Sequence, residues 1–442
     1  MVGFKGLAWL PEPAHRRFTS NEKKCCSNLG ILAFETARIM SRLVSLYRSI
    51  TDEETSRMRN DVFRSRGVQF LNSDDEDFLL SLACAEKLEE LDRVAAAVAC
   101  LGKRCDDFGL NRFAVIYTDL KLGIVNLGKS ELYGSRAAEK RVRKMEKLAS
   151  TTSSLHSAAD ALANLEISDR KLKQLNHHQL EVMKIDMDDF SKKLENQRKE
   201  VLNLRETSLW SQTFDKSVDL MARTVCVVYL RICSVFGPQP MNLRQKIVPY
   251  SGPLLTKSKP VMVRFHSQRS IDFPDEDKTG HGPDGVIHLA GPETVGGSGL
   301  TTLYANIIIL AGKYLSSKSP ISQDEREELY RMLPENLRSV LRSKLAKKMK
   351  TAENDELLAE GWREAMEEMM GWLGPMARDS VMWLMERNVV EKMRFDGCGK
   401  TSSVLLCQTL HFADREKTEA AIAEVLVGLS CIFRFENRRA GA

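Results

Sequence analysis

The stretch Gly299–Lys350 decides the fold of the C-terminal half, and it reads GLTTLYANIIILAGKYLSSKSPISQDEREELYRMLPENLRSVLRSKLAKKMK. Its first part carries apolar residues near helical spacing, at Leu303, Ile307, Leu310 and Leu315. Ser322, with Glu325 three positions later, forms a capping box that starts a second helix. Pro334 suits the first turn of a third helix, because its missing N–H has no intrahelical partner there. The stretch therefore predicts three consecutive helices.

The third helix of this stretch becomes strongly basic toward its end. Its cations, against the single acid Glu335, are Arg338, Arg342, Lys344, Lys347, Lys348 and Lys350. Cations near a helix C-terminus complement the helix dipole, so a capped and solvated helix end is one interpretation. A surface for an acidic protein, an anionic lipid or a nucleic acid is the other. Nucleic acid is the least expected of these, because the net charge of the chain is only +5.

The first helix contains a polar residue, Asn306, inside its apolar run. If this amide is buried it needs partners, because an unpaired buried amide costs roughly 1–3 kcal/mol. Asn306 is therefore either a satisfied structural residue or a contact to another protein. The candidate partner-binding residues are Tyr304, Asn306, Arg338, Arg342, Lys344, Lys347 and Lys348.

Long motifs give the chain a resemblance to known plant proteins. The C-terminal motifs are YANIIIL at Tyr304–Leu310, Leu-Tyr-x-Met-Leu-Pro at Leu329–Pro334 and Leu-Arg-x-x-Leu-Arg at Leu337–Arg342. The N-terminal motif is LGILAFETARIMSRLVSLYRSI at Leu29–Ile50. This pairing resembles the PSK SIMULATOR family of plants, and it extends over most of both halves. The resemblance implies promotion of growth alongside signalling by the peptide hormone phytosulfokine. It does not imply what the domains do chemically.

The composition favours a helical protein with more than one domain. The chain has 442 residues, 43% hydrophobic and 28% charged, which is enough for two or three domains. Leu, Ala, Met, Glu, Lys and Arg are abundant, and these residues favour helices. We predict an all-α protein with two helical bodies joined by a flexible linker. The predicted boundaries are a tail at 1–27, an N-terminal bundle at 28–236, a disordered linker at 237–292, a compact domain at 293–435 and a tail at 436–442.

The linker and the long helices are the most distinctive parts of this division. Most of the 13 prolines and many glycines lie in 237–292, a composition that builds neither a helix nor a core. In the N-terminal body, Leu148, Leu155 and Leu162 are seven residues apart, which predicts a short coiled-coil seam. The seam fits two long helices packed as a hairpin within one chain, and it also fits self-association through 148–205. Near the C-terminus, Gly374-Pro375 predicts a break between two helices.

The location of the protein follows from its cysteines and apolar runs. Its ten cysteines show no C-x-x-C pair and no zinc-ligand spacing, which predicts a reducing compartment and no metal site. The N-terminus lacks a secretory apolar region, so we expect that the protein is not secreted. The longest apolar run, Val225–Phe236, contains Arg231 and is too short to cross a bilayer. We predict a nuclear or cytoplasmic protein, or one that is peripheral to the plasma membrane.

A catalytic function is not predicted by any motif. Gly397-Cys398-Gly399-Lys400-Thr401 resembles the end of a phosphate-binding loop, but Arg394 stands where the first glycine of that pattern belongs. Histidines are few, and none accompanies a nucleophile in a recognisable pattern. We therefore predict a non-catalytic regulator or adaptor without a cofactor, acting by contacts with other proteins. The first alternative is a peripheral membrane or trafficking factor that binds anionic lipid, and the remote alternative is an NTP-binding enzyme.

Overall fold

The computed structural model describes residues 28–124, 135–173, 187–237, 285–317, 322–349, 356–392 and 404–440. Within these ranges the fold is all-α, as predicted, and β-structure is limited to two isolated bridges, Asn28 with Thr213 and Thr294 with Asp414. The two helical regions that we predicted are also confirmed. The predictions for 1–27, for most of the linker and for the loop at Gly397–Thr401 fall outside the described residues.

The helices of the first half are α1 Leu32–Ser49, α2 Asp52–Arg57, α3 Glu76–Gly102, α4 Phe108–Asn111, α5 Phe113–Lys121, α6 Ser135–Leu172, α7 Met187–Thr207 and α8 Phe214–Phe236. Short π-helical turns lie at Met58–Val62 and Val68–Asn72. The side chain of Thr51 caps α2 by accepting a hydrogen bond from the backbone N–H of Glu54.

The helices of the second half are α9 Thr301–Ser316, α10 Gln323–Met332, α11 Glu335–Met349, α12 Glu356–Lys392 and α13 Arg415–Ala440. The predicted capping box of α10 is present: Ser322 Oγ accepts from the Glu325 N–H at 3.2 Å, and the Glu325 carboxylate accepts from the Ser322 N–H at 3.0 Å. The break predicted at Gly374-Pro375 is wrong, because α12 continues through Pro375. The final helix extends to Ala440, five residues beyond the predicted domain boundary.

Tertiary contacts group the chain into two compact units. Among the described residues, the first unit comprises 28–62, 86–124, 135–173, 187–237, 384–392 and 404, and the second comprises 63–85, 285–317, 322–349, 356–383 and 405–440. This grouping differs from the boundaries that we predicted, because a segment of the N-terminal half packs with the C-terminal half. Sequence composition does not show such a contact, since the partners lie far apart along the chain.

The core of the first unit is built by α1, α6 and α8. Its buried side chains include Met40, Leu43, Val142, Met145, Val218, Met221 and Val225. Helices α6 and α7 pack against each other through Leu155, Ala158 and Val201. Across the same contact, Arg198 pairs with Glu166 at 3.0 Å. The two long helices thus form a hairpin within one chain, and self-association through 148–205 stays a prediction.

The core of the second unit is a single apolar cluster shared by α9 to α13. Its members include Ile307, Ile308, Leu329, Leu337, Leu341, Met366, Leu373, Ile422 and Val425. Part of the predicted linker belongs to this unit, because Val286–Leu289 forms a 3-10 turn and the backbone oxygen of Ile287 lies 3.1 Å from Nε2 of His411. The described residues resume at Gly285, within the range 237–292 that we predicted as the linker.

Candidate partner-binding surface

The basic helix α11 lies on the second unit with one apolar face inward. Leu337 and Leu341 are buried in the core, where α11 meets α13. The opposite side of the helix is exposed at Ser339, Val340, Arg342, Ser343, Ala346 and Lys347. The apolar spacing of the sequence is sufficient to place this side in solvent.

Two of the predicted cations are held against the aromatic ring of Tyr330 at the end of α10. The guanidinium carbons of Arg338 and Arg342 lie 5.5 Å and 5.9 Å from the centroid of this ring. Arg342 Nε donates a hydrogen bond of 2.8 Å to the Tyr330 hydroxyl. Arg338 donates from Nη2 to the backbone oxygen of Arg331, also at 2.8 Å. Glu335 balances part of the charge, since it pairs with Arg338 at 3.5 Å and with Arg342 at 3.8 Å.

The remaining lysines of α11 have different surroundings. The amine of Lys344 forms an ion pair and hydrogen bond with the carboxylate of Glu424 on α13. This contact joins α11 to α13, so Lys344 is paired within the second unit. Lys347 is exposed, and the side chain of Lys348 lies outside the described part of the structure. Among the predicted cations whose side chains the structure describes, Arg342 and Lys347 are thus the exposed ones.

Tyr304 is buried, with no accessible surface. Its hydroxyl donates a 2.7 Å hydrogen bond to Oε1 of Glu419, and Asn336 Nδ2 donates to the same oxygen at 2.8 Å. Arg415 Nε lies 3.7 Å from that oxygen. Burial raises the pKa of Tyr304, and the hydrogen bond to Glu419 raises it further. These contacts join α9, α11 and α13, so the structure gives Tyr304 an internal role.

Asn306 lies on the exposed side of α9. Thr302, Ile309 and Lys313 share this side, and Ile309 is 38% exposed. The amide therefore does not need a partner inside the core. Asn306 stays a candidate for contact with another protein, on a helix face separate from that of the basic cations.

The structure does not bring all seven predicted residues into one site. Arg338 and Arg342 form a group with Tyr330, a residue that was not among the candidates. The sequence gives little indication of this contact, because Tyr330 lies on α10, before Pro334, whereas its arginine partners lie on α11. Val340, 38% exposed, adds an apolar contact point beside them. We call Tyr330, Arg338, Val340, Arg342 and Lys347 the α10–α11 surface.

The described residues contain no group of three or more His, Cys, Asp or Glu side chains arranged to hold a metal ion. None of the helices in those ranges combines the length and the apolar character needed to cross a membrane.

Two regions of the chain match known sequence families. Residues 31–87 match a family described as a domain of unknown function (DUF3475), and residues 294–382 match a protein of unknown function (DUF668). The second match includes the whole α10–α11 surface. No solved structure matched the chain.

Comparisons over most of this chain identify similar proteins in Arabidopsis thaliana. Protein PSK SIMULATOR 1 is 26% identical over 416 residues, which cover 91% of this chain and 55% of that protein. The chain resembles the PSK SIMULATOR proteins. PSK SIMULATOR 2 is 26% identical over 93% of the chain and 60% of its own length, and PSK SIMULATOR 3 is 25% identical over 93% and 57%. The predicted resemblance is confirmed, and the chain spans little more than half the length of these PSK SIMULATOR relatives.

Proposed function

We propose that this chain is a non-catalytic regulator of plant growth that acts by contacts with other proteins. The similarity to PSK SIMULATOR proteins, which extends over more than nine-tenths of the chain, supports the growth-related part of the proposal. By this resemblance its role lies alongside phytosulfokine signalling. We place it in the nucleus or cytoplasm, because the spacing of its ten cysteines is that of a protein from a reducing compartment.

The observation that carries the contact proposal is the make-up of the α10–α11 surface. Tyr and Arg are enriched where protein interfaces gain most of their binding energy. Here a half-exposed tyrosine ring lies between Arg338 and Arg342, with Val340 and Lys347 on the same helix. The guanidinium groups are pre-positioned by Tyr330 and Glu335, which lowers the entropy lost when they bind. The charge of this surface fits an acidic protein segment.

The test uses the full chain with two charges reversed at exposed positions. Arg342→Glu with Lys347→Glu changes the α10–α11 surface and leaves the Lys344–Glu424 pair intact. The matched control reverses Lys103 and Lys216, which are exposed just after α3 and on α8. Both proteins are used as bait in plant extract, and captured proteins are compared by mass spectrometry. We expect the surface variant to lose proteins that the wild type and the control retain, with unchanged circular dichroism.

A second candidate function is binding to anionic membrane through α6. Lys140, Arg143, Lys144 and Lys147 are exposed at helical spacing on this helix. The neighbouring acids offset part of this charge, because Glu139 lies 3.2 Å from Arg48 and 3.0 Å from Arg143, and Glu146 lies 3.3 Å from Arg48. Salt-sensitive binding to vesicles containing phosphatidylserine would support this function. Absence of binding at low salt would exclude it.

A further inference from the structure

The segment Phe63–Ala85 belongs to the second unit although it comes from the N-terminal half of the chain. Its residue Leu71 has no exposed surface and is a member of the same apolar cluster as Leu373, Leu410 and Ala413. Removing this segment would therefore open the core of the second unit to water. A buried leucine contributes roughly the transfer free energy of a whole apolar side chain, which makes Leu71 the anchor of the segment.

Hydrogen bonds fix the position of the segment next to this anchor. The backbone N–H of Asp414 donates to the Leu71 oxygen at 2.7 Å. The side-chain amide of Asn72 donates to the backbone oxygens of Cys407 and Thr409, the latter at 3.4 Å. These bonds join the segment to the residues that lead into α13. They specify its register, because sliding the segment by one residue would break all of them.

The other side of the segment lies against α12. A Cβ atom at Gly67 would lie 3.0 Å from the backbone oxygen of Trp372 and 2.6 Å from the sulfur of Met376, so the close approach requires glycine. The ring of Phe70 meets the Trp372 ring edge-on, with centroids 5.5 Å apart. Arg66 forms an ion pair with Glu368 one turn earlier on α12.

We infer that the second unit contains a peptide-binding site for the segment Phe63–Ala85, and that this chain fills the site with its own segment. The site consists of α12, the turn at 405–414 and the start of α13. The family match at residues 31–87 contains the whole segment, and the match at 294–382 contains the part of its binding site on α12. The segment, from one matched region, and the α12 part of its binding site, from the other, thus belong to the same compact unit. This inference does not depend on the proposed function.

The experiment cuts the full chain without disturbing any described contact. A recognition sequence for a site-specific protease is inserted within residues 238–284, and the purified protein is cleaved after folding. Size-exclusion chromatography then shows whether the two fragments stay together. The test variant is Leu71→Asp, and the matched control is Leu202→Asp, at a leucine on α7 that is 59% exposed. Asn72→Ala is a milder variant that removes only the amide bonds.

We expect the wild-type and Leu202→Asp fragments to elute together. Leu71→Asp should weaken their association at least a hundredfold, and Asn72→Ala should weaken it several-fold. A synthetic peptide of residues 63–85 in excess should displace the N-terminal fragment from the cleaved wild-type protein, whereas a scrambled peptide should not. The inference is overturned if the wild-type fragments separate at once. It is also overturned if neither Leu71→Asp nor Asn72→Ala weakens association relative to Leu202→Asp.

Discussion

Tyr304→Phe removes one hydroxyl from the interior of the second unit and leaves the ring in place. Tyr304 is fully buried, and its hydroxyl donates to the Glu419 carboxylate at 2.7 Å. A hydrogen bond to a charged group contributes about 1.5–3 kcal/mol to stability. Glu419 keeps the bond from Asn336 in the variant, so we expect a loss near the lower end, about 2 kcal/mol. For a cooperative unit of this size the melting temperature falls by roughly 4–8 °C.

Thermal unfolding followed by circular dichroism measures this loss. Tyr314→Phe is the matched control, because it makes the same change on the same helix. The Tyr314 hydroxyl is only 3.5 Å from its acceptor, the backbone oxygen of Glu325, so a much smaller effect is expected. Equal melting temperatures for Tyr304→Phe and wild type would refute the argument. If Tyr304→Phe instead captured fewer proteins while keeping its stability, Tyr304 would be a contact residue, as the sequence analysis predicted.

The pH dependence gives an independent check on the same hydroxyl. Burial and the hydrogen bond to Glu419 raise the pKa of Tyr304 in the folded protein. Stability from a group with a raised pKa is fully present below the unfolded pKa of about 10 and is lost as the pH rises above it. The stability difference between wild type and Tyr304→Phe should therefore be constant from about pH 7 to 9. It should shrink above about pH 10, by up to about 1.4 kcal/mol per pH unit. A difference that grows in that range would contradict the assignment.

Two further substitutions test one contact in each unit. Lys344→Glu places a second carboxylate beside Glu424 and should lower the free energy of unfolding by about 1 kcal/mol. In a double-mutant cycle, adding Glu424→Lys to Lys344→Glu should restore most of this loss. Thr152 is fully buried, donates to the Leu148 oxygen at 2.7 Å and accepts from the Leu209 N–H at 3.1 Å. Thr152→Val leaves that N–H unpaired, so chemical denaturation should show a loss of about 1–3 kcal/mol. An unchanged denaturation midpoint for Thr152→Val would contradict the importance of this hydrogen bond.

Local features of the fold were readable from the sequence. The capping box at Ser322 and Glu325 involves residues three positions apart, so their identity and spacing were enough to predict it. The apolar spacing of α9 likewise marks its buried face, which carries Tyr304, Ile307 and Ile308. The same spacing places Asn306 on the opposite face, an outcome that the sequence analysis left open.

The features that the sequence did not reveal depend on residues far apart. Lys344 looked like a free cation, yet its partner Glu424 lies eighty residues later. Leu71 and its neighbours meet residues more than three hundred positions away, as the bond from Asn72 to Thr409 shows. Pro375 was expected to end a helix because it lacks a backbone donor, but the packing of the flanking residues Leu373, Met376 and Ala377 in the core keeps α12 continuous. Tertiary contacts outweigh local preference in each of these cases.

The decisive measurement compares the proteins captured from plant extract by the full wild-type chain, by Arg342→Glu with Lys347→Glu, and by the control with Lys103 and Lys216 reversed. We expect the wild type and the control to capture an acidic protein that the surface variant does not capture, although all three melt at similar temperatures. Capture of the same proteins by all three would contradict the assignment of the contact to the α10–α11 surface.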